Sequence, residues 1–78
     1  MKLPYEWERD IEERVNGANI HDIYGFKGLL SRWLYLIETA KERGEKAKYD
    51  YRVKRLNESL VDGYERGLLS YRYTFKEN

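Results

Sequence analysis

Apolar side chains return every three or four residues along most of this chain, and that spacing predicts helices. The first runs from about Pro4 to Val15, with Trp7, Ile11, Val15 and Ala18 along one face. Proline suits a first helical turn, where its missing N–H has no partner to lose. Glu6 and Glu8 lie near the positive end of the helix dipole. Asp10 and Arg14 stand at i,i+4 and can pair. Asn16-Gly17 reads as a stop.

The second helix is read from about Lys27 to Arg43. Phe26, Leu30, Trp33, Ile37 and Ala40 form its seam, and Leu29, Leu34 and Leu36 spread apolar surface around the cylinder. A helix apolar on several sides is covered on several sides, so this one is read as the buried central element. Gly44 ends it. Residues 17–28 carry the weakest pattern. Asp22 can cap a helix start, but Gly25 and Gly28 each lower helix stability by about 1 kcal/mol relative to alanine. Gly25-Phe26-Lys27-Gly28 is therefore read as a turn, with close approach of two helices as the other use of such glycines.

The third helix starts near Glu45 with Tyr49, Val53, Leu56 and Leu60 on its seam. Continued to Tyr71, it places Gly63, Gly67 and Leu68 on the same side, where glycines would admit a second backbone. The competing reading is a turn at Asp62-Gly63. The alternation Tyr71-Arg72-Tyr73-Thr74-Phe75 has strand character, but with no second strand to pair with it predicts an extended tail packed on the helices. The fold expected is all-α: one domain over residues 1–78, a small three-helix bundle or a helical hairpin plus an N-terminal helix. The short loop at Gly44 makes the second and third helices antiparallel.

Composition restricts the chemistry. With no cysteine, disulfides and thiolate metal sites are excluded, and with a single histidine a zinc site would have to rest on carboxylates, which is unusual. His21 reads as a surface or helix-start histidine. Ser31, Ser59 and Ser70 lack the strained elbow of a nucleophile. Glu6, Glu8, Asp10, Glu12 and Glu13 read as one solvated acidic helix surface and not as facing carboxylates across a cleft. Gly25-Phe26-Lys27-Gly28 lacks the spacing of a phosphate loop. No enzyme, cofactor, metal or small-molecule substrate is expected. The longest apolar run, Trp33 to Ile37, is far too short to span a bilayer, and the acidic start does not resemble a signal peptide; both point to a soluble cytoplasmic protein.

Two surface features remain. Lys48, Arg52, Arg55 and Arg66 fall within about 60° of one another on a helix. Residues 41–55 hold seven basic and three acidic side chains, whereas residues 1–16 hold three basic and five acidic. That polarity fits either a phosphate-tracking surface or neutralisation of the third helix by the first; the net charge of +1 favours neutralisation. The second feature is tyrosine, eight residues in a chain of 78, more than a three-helix core absorbs. Rings that bury area and keep a hydroxyl suit interfaces. The third helix and tail are where the surplus is sought: Tyr51, Tyr64, Tyr71, Arg72 and Tyr73.

The leading expectation is a non-enzymatic protein-binding module that occludes another protein, or a second copy of itself, through a Tyr/Trp-rich surface. Small regulators and phage-encoded inhibitors share that profile, a likeness of type and not of motif. The alternatives are a nucleic-acid-binding module using the basic stripe and a structural subunit of a larger assembly.

Overall fold

Two glycines in the left-handed region divide the C-terminal part of the chain. Gly44 has φ +67° and Gly67 has φ +78°, values that L side chains rarely adopt. In each case the glycine closes a helix with the same pair of hydrogen bonds. Gly44 N–H donates to Lys41 O and Glu45 N–H to Ala40 O; Gly67 N–H donates to Tyr64 O and Leu68 N–H to Gly63 O. This is the Schellman arrangement, which satisfies the last helical carbonyls and reverses the chain.

The computed structural model describes residues 3–14 and 20–76. They form α1 (Tyr5–Glu13), α2 (Ile20–Glu42) and α3 (Lys46–Glu65), with no strand among the described residues. The seam positions Val15 and Ala18 and the stop at Asn16-Gly17 lie outside the described residues. Pro4 occupies the N-cap of α1, and its carbonyl accepts from Trp7 and Glu8 N–H. Trp7, Asp10 and Ile11 are the buried side chains of this helix.

Helix α2 begins at Ile20, two turns before the start read from sequence, and Gly25 and Gly28 are inside it. The supposed turn is helical because of the burial it brings. Ile23 and Phe26 are both sequestered in the core. Burying such a side chain stabilises by about 1.5–3 kcal/mol, against about 1 kcal/mol lost per glycine. The buried line is Ile23, Phe26, Leu30, Leu34, Ile37 and Ala40. It passes through Leu34 in place of Trp33, which is only half-buried at the edge of the cluster.

Helix α3 packs against α2 and contributes Leu56, Leu60 and Gly63 to the core. Neither sequence reading of its end is correct. The helix passes through Asp62-Gly63 and stops at Glu65, short of Tyr71. Gly63 admits a side chain and not a backbone: a Cβ there would overlap the Phe26 ring. Beyond Gly67 the chain turns back, so the adjacent Leu68 and Leu69 are both buried, which consecutive residues on one helix face could not achieve.

The glycines give a paired prediction. Gly63→Ala should lower stability by about 1–3 kcal/mol through overpacking against Phe26. Gly25→Ala, where a Cβ meets open space, should raise it by about 0.5–1 kcal/mol. Urea unfolding midpoints with unchanged slopes would check both.

Candidate functional site

The tail after Gly67 has no secondary structure to hold it, so two side chains fix its path. Asp10 on α1 accepts the Ser70 N–H at 2.8 Å. Asn57 on α3 pairs with Phe75 in both directions: its Oδ1 accepts the Phe75 N–H at 2.7 Å and its Nδ2 donates to Phe75 O at 3.4 Å. The amide of Asn57 thus imitates the neighbouring strand that the sequence lacks. Between these anchors Tyr73 and Phe75 pack on the core, while Tyr71, Arg72 and Thr74 face outward.

Asp10 is the exception among the acids of α1. It is 7% exposed, so the five carboxylates do not share one solvated surface. Its second oxygen lies 3.6 Å from Arg14 Nε. The Tyr73 hydroxyl is held above its ordinary titration range near 10, by burial first and then by the charge and hydrogen bonding of Asp10. The Tyr73 ring stands 6.3 Å from Trp7 and 5.2 Å, edge-on, from Tyr71.

These contacts sort the expected binding residues. Tyr64, Tyr71 and Arg72 come together with Ser70 around an open hollow of about 330 Å³. Tyr64 is 41% exposed and Tyr71 65%. The Arg72 guanidinium makes no ion pair or hydrogen bond with the described residues. Tyr73 turns inward and lines a different hollow, of about 270 Å³, beside Tyr5, Glu6, Asp10 and Glu13. Tyr51 is exposed on α3 but lies thirteen residues from Tyr64, about 20 Å along the helix, and takes no part in either hollow.

The members of the basic stripe have partners close to α3, and none of them is an acid of α1. Arg52 reaches across to α2 and donates to Leu36 O at 2.6 Å. Lys48 pairs with Glu45 at 2.8 Å, Arg55 with Glu58 at 3.9 Å and Arg66 with Asp62 at 3.3 Å, all within or beside α3. Glu45 is held below the usual carboxylate range by its hydrogen bond from Lys48, with the charges of Lys48, Arg43 and Arg52 adding to it. The acids of α1 look elsewhere: Glu8 and Glu12 face Lys27 of α2 at 3.9 and 3.6 Å, and Glu13 pairs with Arg9. Neutralisation is therefore mostly local, through exposed pairs each worth about 0–1 kcal/mol.

Sequence reasoning missed two features. Asp10 as tail anchor left no local signal, because its partners are sixty residues away. The exposed ring of Tyr24 on α2 was left off that helix by starting it too late. No group of three metal-ligating side chains converges among the described residues, and no described helix is long and apolar enough to cross a membrane. Compared with family models, curated proteins and solved structures, the chain matches none.

Three outcomes are expected. Asp10→Ala should cost about 1–3 kcal/mol, because it strips the partner from a part-buried N–H and a hydroxyl, and should speed tryptic cleavage after Arg72. Since Tyr73 holds its proton more tightly when folded, its contribution is complete below about pH 10 and is lost as pH rises through the folded value. Tyr73→Phe should therefore flatten the fall of stability above pH 10 seen in alkaline denaturation. Arg52→Ala should destabilise by about 1–2 kcal/mol by removing the charged hydrogen bond that ties α3 to Leu36 O of α2, visible as a lowered urea midpoint.

Proposed function

We propose that this chain is a non-enzymatic protein-binding module, a small regulator or inhibitor of the phage-encoded type, that occludes a partner protein in the cytoplasm. Its contact surface is the hollow between the end of α3 and the tail. The observation that carries the reading is the convergence of two exposed tyrosine rings, Tyr64 and Tyr71, with Arg72, which has no ion-pair partner among the described residues. Tyrosine and arginine dominate binding energy at protein interfaces, because each combines large contact area with a directional polar end. Rigidity supports it too. Asp10 and Asn57 hold the tail from either side, so less ordering entropy opposes association than for a free peptide.

Nucleic-acid binding through Lys48, Arg52, Arg55 and Arg66 is the weaker reading. Arg52 already serves α2, so reversing its charge would disturb the fold together with any ligand.

The test is affinity capture from the native host, comparing the unaltered chain with Tyr64→Ala/Tyr71→Ala/Arg72→Ala at matched circular dichroism. A defined protein held by the former should be weakened by about a hundredfold or more in the latter. Equal capture by both, or capture of nucleic acid alone that Arg55→Glu abolishes, would overturn the reading.

A further inference from the structure

The hollow that holds Arg72 has a neighbour of opposite charge. Ser70 lines both. The neighbour, of about 270 Å³, is ringed by Glu6, Arg9, Asp10, Glu13 and Tyr73. Tyr71 lines the first hollow and Tyr73 the second, and their rings meet edge-on at 5.2 Å. The two hollows are therefore parts of one surface.

Each side keeps a charge that the chain does not cancel. Among the described residues no acid lines the Arg72 hollow, and Arg66, the other guanidinium near the end of α3, is already held by Asp62. In the second hollow Arg9 cancels Glu13, and Asp10 is occupied by Arg14 and the Ser70 N–H. Glu6 is exposed and has no ion-pair partner among the described residues. Tyr73 feels the negative field on this side: its hydroxyl is held above its ordinary range by burial first, and then by Asp10, Glu6 and Glu13.

We propose that the partner carries an acidic side chain that enters between Tyr64 and Tyr71 to meet Arg72, next to a basic side chain that meets Glu6. This rests on the reading of the surface as a protein-binding site and adds what the partner must carry there. A planar guanidinium takes a carboxylate through two parallel hydrogen bonds. Flanking rings that exclude water make such a pair stronger than an exposed one. The tail is fixed at Ser70 and again at Phe75, so Arg72 is held in place to receive it. The sign of the neighbouring hollow then narrows the partner. A polyanion such as nucleic acid that satisfied Arg72 would lay further negative charge on Glu6. A wholly basic segment would satisfy Glu6 and repel Arg72. Like charges so placed oppose association, and a partner that alternates in charge avoids both clashes.

A random peptide library, displayed and selected on the immobilised full chain, tests this. Sequences enriched on the unaltered chain should carry Asp or Glu near Lys or Arg. One such peptide, synthesised, should bind Arg72→Glu and Glu6→Lys about tenfold or more weakly, each at unchanged circular dichroism. Exchanging the peptide's acid for lysine should restore binding to Arg72→Glu. Selection of nothing above background, of peptides without paired charges, or of peptides indifferent to both reversals would overturn the proposal. So would a chain that sediments at twice its 9.5 kDa mass and returns to monomer in Arg72→Glu, since the occupant would then be a second copy. Both reversals keep Tyr64 and Tyr71. A host protein lost by the triple alanine variant yet held by both reversals therefore sinks this proposal alone, whereas equal capture by the triple alanine variant sinks the broader reading.

Discussion

A buried carboxylate on the first helix fixes the start of the segment that follows α3. Without Asp10 the segment after Gly67 would carry a backbone with few partners and a Tyr73 ring with no polar contact for its hydroxyl. With it, the tail is fixed at Ser70, Tyr73 seats against Trp7, and Asn57 secures Phe75 further along. Helix α1 is held by this contact together with the burial of Trp7 and Ile11. The packing of the helices is chiefly that of α2 on α3, so α1 and the tail are joined to that hairpin largely together. Tyr71 and Arg72 lie between this junction and the one at Asn57.

Much of the architecture is written in the spacing of apolar residues. Leu30, Ile37, Leu56 and Leu60 face inward as helical periodicity requires. The misplaced boundaries share a cause. Local propensity argues against helix at Gly25 and Gly28, but Ile23 and Phe26 gain more by burial than the glycines lose, and burial is a property of the whole fold. The end of α3 errs in the other direction. Periodicity runs on through Leu68, yet Gly67 adopts a conformation that closes the helix, and two adjacent leucines then bury by leaving it.

The candidate site was legible by residue type and not by arrangement. Tyrosine surplus pointed to α3 and the tail, and Tyr64, Tyr71 and Arg72 do converge. Tyr73 looked equivalent to Tyr71 in sequence. The two-residue alternation of an extended chain would put both on one side, but the tight turn in which Tyr73 N–H donates to Tyr71 O breaks that alternation. Arg52 resembled its basic neighbours until the distance to Leu36 O showed it bridging two helices. Long-range partners of this kind leave no trace in a local pattern.

The sixty-residue separation of Asp10 from Ser70 has a bearing on the order in which the molecule assembles. Contacts near in sequence close first, because their loops cost little entropy. The α2–α3 hairpin turns through a single short connection and can form while the chain is still incomplete. Helix α1 precedes the hairpin in the chain yet must wait for Ser70, beyond it, before Asp10 acquires its partner. It is thus among the last elements to reach its native surroundings.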